Sequence, residues 1–442
     1  MAILDIKKTR LKKLAGIKKA GVNPYPITTK RTHSMGMALL EFDRFSAAKT
    51  EVTLVGRIKS IREHGGSTFL HFEDGTGQMQ AYLKQDKLGD KGYKFFLDNF
   101  DVGDFIEITG TLFQTKRGEK TIEASDFKML AKSLLPLPEK WHGLQDVEER
   151  FRKRYLDLIM NPEVRDKFKL RSDTIKGLRD ILNNHGFLEV ETPILQPIPG
   201  GALAKPFKTH LNALKMDLYL RVSPELYLKR LIVGGFPKVY EIGRCFRNEG
   251  MDRVHNPDFS ELEFYWAYQN RDGLMDFVEK AIAELVMKVK GSSEIIYQGQ
   301  KIDFKAPWKR IKFSEIDFEK EKINLIQPTF VVDHPVKMAI LAKAKEDNPR
   351  QAHRFQVVVG GIELINAFSE LNDPLEQEKR FKSAKVETER RDKDFLEAMQ
   401  YGMPPTAGLG MGIDRLVALL TDSHNLREVI LFPAMKPQKK NE

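Results

Sequence analysis

Residues 239–268, VYEIGRCFRNEGMDRVHNPDFSELEFYWAY, constrain this chain more than any other stretch. Positions 239–247 and 259–268 are rich in aromatic and β-branched residues and read as two strands. Asn248, Gly250, Asp252, Asn256 and Pro257 make the connection between them polar and turn-forming. Alternation along the second strand puts Phe259, Glu261, Glu263 and Tyr265 on one face. Leu262, Phe264, Trp266 and Tyr268 fall on the other, which is core. The first face demands cationic partners, because half-buried carboxylates among aromatics are costly unless paired. Arg244, Arg247, Arg253 and His255 lie close by and suit an anionic ligand such as a nucleotide phosphate. A hairpin with surface ion pairs alone shows the same pattern, so this stretch by itself leaves both readings open.

FRNEG followed by HNPDF resembles motif 2 of the class II aminoacyl-tRNA synthetases in its lysyl form. GLGMGIDRL at 408–416 resembles motif 3, and GFLEVETPIL at 186–195 resembles motif 1. The three occur in the expected order and spacing. The likeness to bacterial-type lysyl-tRNA synthetases runs from about residue 5 to 437, with a shortened segment after motif 2. It implies an α+β chain: an N-terminal OB-fold β-barrel, then a class II catalytic domain built on an antiparallel β-sheet flanked by helices. The divisions expected are a basic helical segment at 1–48, an anticodon-binding barrel at 49–135, a linker at 136–160 and a catalytic domain at 161–442.

Bulk properties agree. The 442 residues carry 72 Lys+Arg against 62 Asp+Glu, a formal +10 that favours a polyanionic partner. The single cysteine, Cys245, excludes an intrachain disulfide framework and fits a reducing compartment. No apolar run approaches the roughly 18 residues a membrane helix needs, and the start lacks a signal-peptide apolar region. A cytoplasmic protein with no membrane association is expected.

Residues 5–20 read as an amphipathic basic helix carrying Ile6, Leu11, Leu14 and Ile17, ended by Gly21 and Pro24. Five short strands between Val52 and Leu135 suit a barrel that stacks single-stranded bases on aromatics. By resemblance, Phe69, Gln80 and Glu119 read the anticodon, with Lys116 and Arg117 placed to meet phosphates. Prolines in 134–158 should stiffen a connection to the next domain. Residues 161–186 form an amphipathic helix leading into a strand at 187–191, which the resemblance makes a homodimer interface. IPGGALAKPF is a glycine turn that lets backbone approach a ligand, with Lys205 where relatives usually have Arg.

Residues 304–325 depart furthest from the relatives, which carry a longer helical insertion there. RFQVVVGGIELINAFSELNDP then reads as a hairpin about Gly360–Gly361, pairing Val358 with Glu363 and setting Gln356 diagonally on the same face. Asn366, Phe368 and Glu370 have the opposite parity from Glu363, so a bulge near Leu364–Ile365 is needed to present them all to one site, as the resemblance implies. Residues 374–400 read as a charged helical segment with a solvated face. Gly408, Gly410 and Gly412 precede a helix whose core side carries Leu416, Leu419 and Leu420.

The resemblance assigns the chemistry residue by residue. The activity is ligation of L-lysine to tRNA(Lys) through a lysyl-adenylate, with ATP as substrate and Mg²⁺ as cofactor. Arg247 meets the α-phosphate and Arg415 the γ-phosphate, both as catalytic residues. Phe259 stacks on adenine, while Glu249 and His255 hold the nucleotide. Glu363 binds Mg²⁺ and ATP; Gln356, where relatives are acidic, offers the metal a carbonyl oxygen but no charge. Gly201 and Glu225 receive the α-amino group, Asn366 the carboxylate, and Glu263, Tyr265, Phe368 and Glu370 the side chain. Two alternatives stand beside this: a paralogue that lysylates a protein, and a non-catalytic tRNA-binding protein. The barrel counts against the first, and the retained Arg247 and Arg415 against the second.

Overall fold

Apolar alternation through residues 51–131 rolls five strands into a closed barrel. They are β1 (Glu51–His64), β2 (Ser67–Glu73), β3 (Gln78–Lys84), β4 (Phe105–Gln114) and β5 (Lys120–Ala131), in the order β1-β2-β3-β5-β4. Leu54, Ile58, Leu70, Phe72, Ile108 and Ile122 fill its interior. The computed structural model describes residues 3–138, 144, 146–383 and 392–438. Two units divide the chain, Met1–Gly143 and Leu144–Glu442.

In the first unit, helix α1 (Ile3–Lys19) docks through Ile17, Ile6 and Leu14, but Leu11 is exposed. Arg10 is buried instead, its guanidinium donating to the carbonyls of Ser133, Leu135 and Val102. Three backbone acceptors at one place outweigh the burial of one leucine.

The second unit is built on an eight-stranded sheet. Its strands are β6 (Leu188–Glu189), β7 (Lys238–Phe246), β8 (Asp258–Ala267), β9 (Lys309–Lys312), β10 (Thr329–Val332), β11 (Arg354–Val359), β12 (Ile362–Ser369) and β13 (Thr406–Gly412). The order is β9-β10-β11-β12-β13-β8-β7-β6, antiparallel except for the outermost pair at each end. Helices α2 (Pro162–Asn184) and α3 (Arg271–Lys290) cover one face, burying Leu178, Ile181, Val278 and Ile282 against Phe264, Val357 and Leu409. Helices α4 (Glu225–Val233), α5 (Pro374–Ser383), α6 (Lys393–Gln400) and α7 (Ile413–Leu420) complete the parts used below. No helix among the described residues is long and apolar enough to cross a membrane.

Several expectations need correcting. Within 136–160 the chain is helical over Val147–Arg152 and Arg154–Met160, inside the second unit. Arg154 is buried there, paired with Asp157 at 2.6 Å and donating to the carbonyls of Arg427, Ile430 and Leu431. Tyr268 leaves the core face: the chain turns at φ +62° and the ring is exposed. The 374–400 segment is not only a solvated face. Phe381, Phe395 and Met399 pack on Leu226 of α4, and Arg230 clasps Asp392 at 2.6 and 2.7 Å. Residues 384–391 of that segment lie outside the described ones. The shortened 304–325 connection supplies β9 and sets Phe318 and Phe313 against Val331 and Val358.

Candidate active site and nucleic-acid face

The hairpin of β7 and β8 keeps its alternation: Cys245 faces Phe259, Gly243 faces Glu261 and Glu241 faces Glu263. β8 runs beside β13, with Glu263 opposite Gly410 and Tyr265 opposite Gly408. β13 runs beside β12, where the same two glycines face Asn366 and Phe368. Side chains on the flanking strands therefore converge over a strand that has none there. On β12 the bulge falls at Leu364, between the pairs Val357–Ile365 and Val358–Glu363. It turns Glu363, Asn366 and Phe368 all toward one cleft of about 540 Å³.

One end of the cleft is acidic. Glu263 is buried; its Oε1 accepts from Ser223 Oγ at 2.6 Å and its Oε2 from Tyr265 OH at 2.9 Å. Burial pushes this carboxyl well above the ordinary range, with Glu261 and Glu225 adding to the effect. Burial likewise raises Glu261, against the pull of Arg247. Glu225 Oε1 accepts from Lys229 Nζ at 2.6 Å. Gly201, at φ +87°, brings its backbone so close that a Cβ would sit 2.7 Å from Ser223 Oγ and 3.1 Å from Glu225 Cβ. Glu370 lies behind the wall, paired with Lys229, and burial raises its carboxyl to about 8 even against that cation.

The other end is cationic. The Arg247 guanidinium sits 4.9 Å above the Phe259 ring, with Nη2 4.0 Å from Glu261. Its buried Nε has no hydrogen-bond partner among the described residues. Arg415 donates from Nη1 to the Glu363 carbonyl at 2.7 Å and reaches His255 Nε2 at 3.3 Å. His255 Nδ1 meets Asp252 at 2.8 Å, which leaves Nε2 to accept. Glu249 accepts from the backbone of Lys205 at 3.1 Å, pinning the glycine turn to motif 2. Asn366 Oδ1 accepts from Arg354 Nε at 2.8 Å, so its amide NH₂ is the end left to donate.

Gln356 does not join them. It is buried on the expected face, yet its Oε1 meets His334 Nε2 at 2.8 Å and it is no part of the cleft wall. Burial and the Arg354 charge hold His334 at about 4, so it donates as a neutral ring. Ser223, Lys229 and Arg354 took no part in the sequence-derived site, and Glu261 was placed on its strand face without a role of its own. Ser223 reads as a helix-opening residue and Lys229 as a helical i,i+4 partner of Glu225, both bland patterns.

On the barrel, Phe69, Gln80 and Glu119 fall together. Phe69 stacks on Tyr82 with centroids 4.3 Å apart and planes 12° from parallel. Gln80 Nε2 donates to Glu119 Oε2 at 2.9 Å, and His71 Nε2 meets Glu119 Oε1 at 2.6 Å. Tyr82 and His71 extend the patch. Both were legible as cross-strand neighbours, since Tyr82 pairs with Phe69 and His71 with Gln80. Lys116 and Arg117 are exposed in the adjoining loop.

A glycine-floored antiparallel sheet with one arginine from each of two motifs, carried with a nucleic-acid-binding barrel, defines a class II tRNA synthetase. The family described as "tRNA synthetases class II (D, K and N)" matches residues 146–436, and the OB-fold nucleic acid binding domain matches 52–130. The lysine–tRNA ligase of Carboxydothermus hydrogenoformans is 46% identical, over 98% of this chain and 98% of its own. That of Roseiflexus sp. is 46% identical over 99% and 100%, and that of Fervidobacterium nodosum 43% over 98% and 94%. The chain belongs to the lysine–tRNA ligase family. The first of these alignments spans 483 positions against 442 residues here, so the relatives carry residues this chain lacks.

Proposed function

We propose that the cleft activates L-lysine with ATP and passes it to the 3′ end of tRNA(Lys), with the residue roles that follow. The observation that carries this is Glu263: a buried carboxylate on the cleft wall, held by two hydroxyls and by no cation among the described residues. Such a group takes up a proton when the site is empty and ionises when an ammonium arrives. An aspartate or asparagine side chain would bring it no counter-charge.

Gly201 and Glu225 receive the α-amino group, and the free amide end of Asn366 donates to the carboxylate. Phe368 and Tyr265 flank the aliphatic side chain. The lysine carboxylate attacks the α-phosphorus, a P–O bond to the β-phosphate breaks and pyrophosphate leaves. No covalent enzyme intermediate is needed, so the protein contributes position and charge. Arg247 neutralises the α-phosphate and Arg415 the γ-phosphate. Phe259 stacks on adenine, and His255 and Glu249 steady the loop around the nucleotide.

Among the described residues no group of three or more His, Cys, Asp or Glu is arranged to hold a metal. Mg²⁺ arriving with ATP would neutralise phosphate charge, and Glu363, a carboxylate on the cleft wall beside Arg415, would help to hold it. Gln356, bonded to His334, does not fit it. Exposed Leu188, Ile194 and Leu195 support a second copy docking at motif 1 as a homodimer.

ATP–pyrophosphate exchange, run without tRNA and with each amino acid in turn, tests this reading. Lysine alone is expected to support it, and comparable exchange with aspartate or asparagine would overturn it. The barrel has its own test. Phe69→Ala removes one ring of the stacked pair and should weaken tRNA charging by about 1–3 kcal/mol while lysine–ATP exchange holds. A parallel fall in exchange would show that the barrel does more than read the anticodon.

A further inference from the structure

The cluster behind the acidic wall contains a lysine of the chain's own. Lys229, on α4, is wholly buried. Its ammonium bonds Glu225 Oε1 at 2.6 Å and pairs with Glu370 Oε2. The rings of Phe368 and Tyr265 lie 5.5 and 5.7 Å from it. Two carboxylates and two aromatic faces are the environment a substrate ammonium would need, built here around an internal one. Glu370 is divided by this contact. Oε2 is the oxygen ion-paired with Lys229, while Oε1 lies against Gly408 on the cleft wall, and both are buried with no other hydrogen-bond partner among the described residues.

We propose that Lys229 is a positioning residue for lysine specificity: it fixes one oxygen of Glu370 and favours the charged carboxylate against its burial, so that the other oxygen is offered to the substrate ammonium. Four carboxyls crowd this end of the cleft: Glu225, Glu261, Glu263 and Glu370. Without an internal cation the two that flank Lys229 would share a buried space with no counter-charge, and one would hold a proton. A protonated Glu370 presents a neutral group where an ammonium needs an anion. The internal lysine thus sets how much negative charge remains for the incoming one. Burial first and then the Glu225 charge drive Glu370 toward protonation, and Lys229 opposes them.

The proposal rests on Glu370 receiving the lysine side chain, and the experiment separates the two claims. Lysine-dependent ATP–pyrophosphate exchange is measured for K229Q, K229M, E370Q and the double variant K229Q/E370Q. Glutamine retains an N–H donor at this position but not the charge, whereas methionine retains neither, so the pair separates loss of charge from loss of polarity. K229Q is expected to raise the lysine KM about 10²-fold, with the KM for ATP within about threefold of the parent. Preference for lysine over norleucine, its isostere without the ε-nitrogen, should fall by a similar factor. The double variant should be no worse than E370Q alone, because the two act through one group. An E370Q enzyme with the parent's lysine KM would overturn both claims. If E370Q is impaired, a normal K229Q, or losses that multiply in the double variant, would overturn the role of Lys229. Loss of folded protein in K229Q as well as K229M would assign Lys229 to the fold and also overturn it.

Discussion

Arg247→Ala is expected to lower kcat/KM for lysine activation by about 10³, the scale on which a preorganised donor to a developing anion acts. The placement of the guanidinium is consistent with that role. It sits 4.9 Å from the centre of the Phe259 ring, lies 4.0 Å from Glu261 and leaves its buried Nε unpartnered. Arg154, by contrast, has its donors filled by Asp157 and backbone carbonyls. Arg247→Lys should recover only part of the loss, because a point charge cannot reproduce the planar fork. Steady-state exchange kinetics decide it, and a loss below tenfold in Arg247→Ala would remove Arg247 from the α-phosphate.

Gly408→Ala should be nearly as damaging, but to a different substrate. A Cβ at this position collides with Glu370 Oε1 and with the Tyr265 ring, and Tyr265 is packed on Leu228 and Val239. The packed Tyr265 ring resists the shift and Glu370 must move its free oxygen, so one methyl displaces the wall proposed to receive lysine. Overpacking of this kind costs about 1–3 kcal/mol, which corresponds to a rise in the lysine KM of up to about 10²-fold. The KM for ATP should move little. Gly410→Ala is the contrast, because its Cβ meets nothing nearer than 3.5 Å. If the two alanine variants bind lysine alike, the close approach at Gly408 is not what shapes the pocket.

The hairpin was legible in the sequence because strand alternation is strict and both faces of β8 are chemically distinct. The bulge was legible too. Gly360–Gly361 fix the turn, at φ +57° and +74°, and the residues that the resemblance sends to one site then have opposite parity, which only an extra residue near Leu364–Ile365 reconciles. What sequence could not show depends on partners far along the chain. Gln356 is claimed by His334, and that ring is held by Phe313 and Phe318 from the shortened connection. Lys229 looks like half of a surface pair until Glu370, on another element, closes over it. Arg10 displaces Leu11 from the packed face of α1 because the carbonyls it meets lie more than 90 residues away.

The short connection after motif 2 has one more effect, at the border of the sheet. Any open sheet ends in a strand whose outward N–H and C=O groups invite a stranger's backbone. In this protein that border on one side is β9, only four residues long and carrying Lys309, Arg310 and Lys312, all exposed. Arg310 is tethered to Asp276 at 3.0 Å, which keeps its charge beside the border. A second chain trying to lengthen the sheet would have to lay its backbone along three cations over a stretch too short to repay the approach. The segment that lost its insertion thereby serves as a fender against strand-to-strand aggregation.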